Sequence, residues 1–262
     1  MIKLVAIDID GTLISDDLKI GPKTKNKIRE LIDKNIYVTL VTGRTYKSSK
    51  QFSDILGIEV PLVVYNGGII ANSQTKNILY EKKIPLEESK NIIKFAEDKG
   101  IYVKAYVDDV LYIEKMDERT RNFIEHHKVK WVELEQPLSK KLPSGANMIV
   151  TISERTNMKE LYNQIETKNS VKTMSTQNSI EYIPKNVSKG KGVKYLARKY
   201  NINRYEILAI GNSLNDLEMI EYAGIGVAMK NSDPMLLDRW NNVSEFSNNE
   251  DGVYYILEKY II

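Results

Sequence analysis

Lys3-Leu4-Val5-Ala6-Ile7 runs without a break into Asp8-Ile9-Asp10-Gly11-Thr12-Leu13. An apolar run this short, β-branched at Val5 and Ile7 and closed by Gly11, reads as a buried strand that delivers its C-terminal end to a turn. Strand side chains repeat every two residues, so Asp8 and Asp10 point the same way, where like charges repel unless something cationic lies between them. A hard cation such as Mg²⁺ takes oxygen ligands, and the pair leaves one carboxylate to attack phosphorus and the other to move protons. A solvated Asp-rich turn is the plain alternative for an isolated Asp-x-Asp-Gly. The rest of the chain has to choose between them.

The pattern repeats downstream. Pro22 is suited to the first position of a helix in which Ile28, Leu31 and Ile32 make one apolar stripe, and the strand Ile36 to Val41 follows. That strand runs into Thr42-Gly43-Arg44, again polar groups at a strand end. A second helix, Tyr46 to Leu56, leads to the strand Pro61 to Tyr65, which Asn66-Gly67-Gly68 breaks, and a hairpin follows around Gln74 to Asn77. From Pro85 the rhythm changes. A helix to Gly100, strands Ile101 to Val107 and Val110 to Glu114, a helix Asp117 to His127 and a strand Val129 to Leu134 come first. A polar link Gln136 to Pro143, a strand Met148 to Ser153, a helix Glu154 to Lys168 and strands Val171 to Gln177 and Ser179 to Pro184 complete the block. These alternating helices and hairpins predict an α+β unit over Ile84 to Pro184, inserted between residues 1–83 and 185–262. Then the first rhythm resumes: a helix opened by Ser188-Lys189-Gly190-Lys191-Gly192, a strand Ile207 to Ile210 ending in Gly211-Asn212-Ser213-Leu214-Asn215-Asp216, a helix Leu217 to Tyr222, a strand Ile225 to Met229 and a closing helix Gly252 to Ile262. The expected architecture is α/β: a doubly wound, mostly parallel, Rossmann-like core with an inserted α+β domain. Its polar clusters gather at strand carboxyl ends, where open α/β sheets bind ligands.

Composition removes several other chemistries. A net charge of +3 on 262 residues gives no electrostatic footprint for nucleic acid or an acidic membrane. There is no cysteine, hence no thiolate nucleophile and no zinc-thiolate site, and the only histidines, His126 and His127, sit side by side in a polar segment. Met1 leads straight into the first strand without a basic and apolar leader, and no apolar run approaches a membrane span, so a cytoplasmic protein is expected. Lys-Gly-Lys-Gly lacks the spacing of a P-loop, and Gly224-x-Gly226 lacks the third glycine of a dinucleotide fingerprint.

Four clusters stand in order: Asp8/Asp10, Thr42, Lys189, and Asn212/Asn215/Asp216. In this setting they resemble the haloacid dehalogenase superfamily, specifically the Cof-like phosphatases that carry a large cap between the second and third motifs. The resemblance covers the whole chain and extends to Tyr65-Asn66-Gly67-Gly68, Ala223 to Met229 and Glu250-Asp251-Gly252-Val253. It implies that Asp8 is the nucleophile forming an aspartyl-phosphate and Asp10 the acid, then base, of the two half-reactions. It implies that Thr42, Gly43, Lys189 and Asn215 contact the phosphate, and that Asp8, Asp10, Asn212 and Asp216 gather around Mg²⁺. Lys191 competes with Lys189 for the fixed cation, and Arg44 either reaches the substrate or makes an ion pair. Asn186 stands where the family often has glycine, and Asn tolerates a left-handed backbone.

One position departs from the pattern. The family usually has Gly-Asp-x-x-Asn-Asp where this chain has Gly211-Asn212, so an amide replaces a carboxylate at an expected metal ligand and weaker metal binding follows. The expected function is Mg²⁺-dependent hydrolysis of small phosphorylated metabolites such as sugar phosphates, by a monomer or small homo-oligomer, with the insert selecting the substrate. A phosphomutase on the same scaffold and a catalytically weak metabolite-binding relative are the alternatives.

Overall fold

The computed structural model of the chain describes residues 1–176 and 178–261. Gln177, at the end of the expected strand Val171 to Gln177, and Ile262, at the end of the expected closing helix, lie outside the described residues. The chain divides into two compact units, Met1–Tyr80 with Ser188–Ile262, and Glu81–Val187. Each seam falls three residues outside the expected Ile84 and Pro184.

The first unit begins with β1 (Leu4–Ile7), α1 (Pro22–Asp33), β2 (Tyr37–Leu40), α2 (Tyr46–Leu56), β3 (Leu62–Val64), β4 (Ile69–Ala71) and β5 (Ile78–Glu81), whose last residue opens the second unit. Pro22 opens α1, where its missing N–H costs nothing. Thr45 caps α2 by accepting from the Ser48 amide, and Gly57 in the left-handed region ends it. β1 pairs in parallel with β2, Leu4 opposite Tyr37 through Ile7 opposite Leu40. The Thr42 amide donates to the Val63 carbonyl at 2.8 Å, and Val41 bridges Val63 in parallel, which sets β3 beside β2.

The second unit holds α3 (Leu86–Asp98), β6 (Tyr102–Val107), β7 (Val110–Ile113), α4 (Glu118–His127), β8 (Lys130–Glu133), α5 (Leu138–Lys141), β9 (Met148–Ile152), α6 (Met158–Gln164), β10 (Ser170–Thr176) and β11 (Ser179–Pro184). Its six strands form one sheet in the order β10-β11-β9-β6-β7-β8. One face packs on α3, α5 and α6 through Ile92, Val103, Ala105, Leu138, Leu161 and Ile180. Two details differ from expectation. The polar link contains α5, and the helix expected over Glu154 to Lys168 is the shorter α6. Ser153 Oγ accepts from the amides of Arg155 and Thr156, which closes a local turn, and the helix proper starts only after Asn157, which caps α6 by accepting from the Lys159 amide. Asn186 has φ +63°, the left-handed backbone that its residue type tolerates.

The first unit resumes with α7 (Lys189–Lys199), β12 (Ile207–Gly211), α8 (Leu217–Tyr222), β13 (Ile225–Ala228), α9 (Pro234–Leu237) and α10 (Gly252–Tyr260). β12 pairs in parallel with both β1 and β13, so the central order is β13-β12-β1-β2. This is the doubly wound parallel core that the alternating pattern predicts. Leu4, Ala6, Ile207 and Ala209 pack with Val193, Leu196, Met219 and Ile220 of α7 and α8. Val5 and Ile7 point to the other face, and fully burying each such side chain contributes about 1.5–3 kcal/mol. The same alternation carries Asp8, next in phase after Leu4 and Ala6, onto the α7 side at the strand's carboxyl end. Among the described residues no helix is long and apolar enough to cross a membrane.

Candidate active site

Lys189 is the first residue of α7, and Ser188 caps that helix by accepting from the Lys191 amide. The turn Tyr65–Gly67 lies against this helix start. Gly67 has φ +88°, and a Cβ there would stand 2.1 Å from the Ser188 carbonyl oxygen, so both backbone and space require glycine. The buried Lys189 ammonium lies 2.7 Å from Asp8 Oδ1 and 2.7 Å from Asp216 Oδ1. Lys191, one helical step away, is exposed. The structure therefore brings Lys189, and not Lys191, to the aspartates.

Asp216 is fully buried, and its second oxygen accepts from the Asn212 and Ser213 amides at 3.0 Å each. It ties the turn after β12 to Lys189. Burial works to discharge the Lys189 ammonium, but the carboxylates of Asp216 and Asp8 overcome it and hold the group above the ordinary lysine range. Burial, with Asp216 adding to it, pushes the Asp8 carboxyl up to about 7 against the pull of Lys189. One ammonium between two buried carboxylates leaves an uncompensated negative charge on Asp8. A second cationic group beside it would lower the energy of this arrangement.

Asn212 faces the other oxygen of Asp8. The end of its carboxamide lies 2.8 Å from the Asp10 carbonyl oxygen, 3.2 Å from Asp8 Oδ2 and 3.1 Å from Thr12 Oγ1. The two aspartate oxygens only accept, and the Thr12 hydroxyl can accept as well as donate, so the amide orientation that satisfies them all puts Nδ2 there as donor. Turned the other way, the same side chain offers Oδ1, and three oxygens converge on one small space. That is a donor set for a hard cation. Among the described residues no three Asp, Glu, His or Cys side chains gather into such a group. The set is mixed instead: the Asp8 carboxylate, the Asp10 main-chain carbonyl and the Asn212 amide. Of the four residues expected around Mg²⁺, Asp8, Asp10 and Asn212 border this space, Asp10 with its main-chain carbonyl, and Asp216 lies on the far side of Lys189.

The Asp10 carboxylate is held elsewhere. Arg44 grips it with two bonds, Nε to Oδ2 at 2.7 Å and Nη2 to Oδ1 at 2.6 Å. Arg44 is itself buried, with Nη1 donating to Ser48 Oγ and the guanidinium over the Phe52 ring. Of the two roles open to Arg44, the ion pair is the one observed, though in the site and not on the surface. Thr42 Oγ1 accepts from the Arg44 amide at 3.1 Å. Asn215 Nδ2 donates to Asn66 Oδ1 at 3.1 Å, and the Asn66 amide donates to the Thr42 carbonyl, so these residues form one connected rim. A Cβ on Gly43 would crowd the Asn66 amide at 3.2 Å. Thr12 carried no sequence signal because its partner Asn212 is 200 positions away, and Ser48 and Phe52, although close to Arg44 along the chain, belong to no recognisable motif. Asn66 did, since Asn-Gly-Gly after a strand marks a special turn, and Asn66 has φ +53°.

A model of the haloacid dehalogenase-like hydrolases matches residues 5–257. The chain is 29% identical over 267 residues to the 5-amino-6-(5-phospho-D-ribitylamino)uracil phosphatase YitU of Bacillus subtilis (strain 168), covering 98% of this chain and 97% of that protein. It is 27% identical over 244 residues to the HMP-PP phosphatase of Yersinia pseudotuberculosis, covering 90% of this chain and 86% of that protein. Among solved structures, that of TM0651 from Thermotoga maritima superposes with a TM-score of 0.85 at 30% identity, covering 100% of this chain and 98% of that one. With the motifs in order and the parallel core beneath them, the chain belongs to the haloacid dehalogenase-like hydrolases, as a Cof-like phosphatase.

Proposed function

We propose that the protein hydrolyses small phosphorylated metabolites through an aspartyl-phosphate on Asp8, with Mg²⁺ as cofactor. The observation that carries this reading is the pairing of a buried Asp8, whose negative charge is only partly offset, with Lys189 on one oxygen and an oxygen-lined space on the other. An Asp8 oxygen attacks phosphorus, the bond to the leaving oxygen breaks, and Asp10 gives that oxygen a proton. In the second half Asp10 takes a proton from water, the water oxygen attacks phosphorus, and the Asp8–phosphorus bond breaks to release inorganic phosphate. Lys189 neutralises the oxygens of the group in transit, and Thr42, Gly43 and Asn215 hold them by hydrogen bonds. Bound at Asp8, the Asp10 carbonyl and Asn212, Mg²⁺ would supply the charge that lets a dianionic phosphate approach a carboxylate. Arg44 must release one Asp10 oxygen before a proton can move, and the half-exposed Asp10 carboxylate leaves room for that. The unit Glu81–Val187 is assigned to substrate selection.

The relatives named above act on different phosphorylated compounds, so the substrate is sought by screening phosphorylated sugars, nucleotides and cofactors with Mg²⁺ and reading phosphate release. Asp8→Asn is expected to abolish release while circular dichroism and unfolding stay those of a folded protein. Full activity in Asp8→Asn, or in excess chelator, refutes the mechanism. One observation favours a second reading. The Asn212 amide can itself satisfy Asp8 Oδ2 and the Asp10 carbonyl, which suits a protein that binds a phosphometabolite with little turnover. Calorimetric binding without phosphate release would select it.

A further inference from the structure

Glu250-Asp251-Gly252-Val253 plays no part in the chemistry above, yet the turn that contains it reaches back to the segment that follows the two aspartates. Residues 11–21 leave Asp10 as a small flap: Ile14 bridges Asp10 in parallel and Ile20 in antiparallel, and the Ser15 amide donates to the Lys19 carbonyl. Nothing in that short flap has a core of its own. It is fastened by residues more than 200 positions away. Asn231 Nδ2 donates to the Gly11 carbonyl at 2.8 Å, and Asn231 Oδ1 accepts from the Asn248 amide at 3.0 Å. Asn248, itself buried, donates through Nδ2 to the Ile14 carbonyl at 3.0 Å and to Asp16 Oδ1 at 3.1 Å. Asn249 closes a reciprocal pair, its Oδ1 accepting from the Asp16 amide and its Nδ2 donating to Asp16 Oδ2, both at 2.9 Å. At the far end Thr24 Oγ1 donates to Asp251 Oδ1 at 2.8 Å, and Gly21 leaves room for that carboxylate, since a Cβ there would stand 1.7 Å from it.

We propose that the Ser247–Gly252 turn, through Asn248, is a clamp that positions Asp10 for proton transfer. Asp10 is held from one side by Arg44, which orients its carboxylate, and from the other by Ile14, whose carbonyl Asn248 fixes. Asn248 touches neither substrate nor reacting atoms; it is a positioning residue. A displacement of about 1 Å in a general acid can cost about a hundredfold in rate. The effect must appear where protonation matters, because an ester with a poor leaving group needs the proton from Asp10 and a highly activated aryl ester does not.

The inference rests on the phosphatase reading, and the experiment separates the two. Single-turnover phosphoryl transfer is measured for wild type, Asn248→Ala and the exposed-side variant Asp16→Ala, with an alkyl phosphate and with dinitrophenyl phosphate. Asn248→Ala is expected to lower the alkyl rate by about ten- to a hundredfold and to leave the dinitrophenyl rate within about twofold; Asp16→Ala moves the same way by less. Equal losses on both esters, or none on either, overturn the clamp. A wild type inactive on both esters overturns the phosphatase reading, and with it a role for the clamp in catalysis. Hydrogen exchange provides a readout without turnover: amides of residues 11–20 should exchange faster in Asn248→Ala while those of Leu4–Ile7 keep their protection. Unchanged exchange in the flap overturns the proposal as well.

Discussion

Replacing Asn212 by Asp exchanges one donor for one negative charge at the point where Asp8 Oδ2 and the Asp10 carbonyl face each other. Without a cation, the change removes the amide's donation to these oxygens, worth roughly 0.5–1.5 kcal/mol for each bond. It also sets a second carboxylate 3.2 Å from Asp8 Oδ2, a repulsion of about 5 kcal/mol at an effective dielectric constant of 20 before protonation and relaxation relieve part of it. A net destabilisation of about 3 kcal/mol is therefore expected in chelator, which lowers Tm by about 6–12 °C for a folding unit of this size. A bound divalent cation reverses the sign, because the new carboxylate becomes a charged ligand. The affinity for Mg²⁺ or Mn²⁺ should rise by roughly tenfold for each 1.4 kcal/mol so recovered. Thermal unfolding in chelator and across a Mg²⁺ titration, with Mn²⁺ binding followed by paramagnetic resonance, measures both halves without any substrate. Equal Tm values in chelator together with unchanged or weaker metal affinity would refute the placement of Asn212 beside Asp8.

The other expectations are as specific. Asp10→Asn should leave substrate binding largely in place and slow both formation and breakdown of the aspartyl-phosphate by about 10²–10⁴-fold; a rate within a few-fold of wild type in quenched-flow measurements refutes the assignment. Replacing Glu81–Val187 by a short linker should give a folded core that hydrolyses small aryl phosphates with poor discrimination among metabolites, and a chain that fails to fold shows that the core depends on the insert. Lys104, on the sheet face of the insert opposite α3, is buried with its ammonium 3.7 Å from the Phe123 ring centroid, and burial pulls its pKa down to about 8 although Glu181 opposes the shift. The folded state then binds fewer protons than the unfolded chain between that value and the ordinary 10.5, so stability should climb by about 3 kcal/mol across this window and stay flat below it. Lys104→Met should remove that climb and be the more stable protein near neutrality; parallel urea-unfolding profiles from neutral to alkaline pH would show that Lys104 is solvated.

Much of this architecture was legible because its causes are local. Two-residue alternation through Leu4, Ala6 and Asp8 put the first carboxylate on a defined side of a buried strand, Pro22 marked a helix start by its own backbone chemistry, and the change of rhythm after Lys83 predicted an insert over Ile84 to Pro184, where the compact unit runs from Glu81 to Val187. Order along the chain also identified the motifs, since each stands at the carboxyl end of a strand or the start of a helix.

What the local pattern left open depended on which elements become neighbours. Lys189 and Lys191 are equivalent by composition, and only the seating of α7, with Gly67 tight against Ser188, turns the first toward Asp8 and the second to solvent. Arg44 and Asp10 are 34 residues apart, and their bidentate pair follows from β1 and β2 lying side by side in parallel register. The Asn212 amide finds Asp8 because β12 pairs with β1 from the opposite side. The Asn248 clamp joins residues separated by more than 230 positions. Periodicity and turn chemistry are properties of a few consecutive residues, whereas a site at the carboxyl edge of a parallel sheet is assembled by strand order, and no stretch of the chain carries that order by itself.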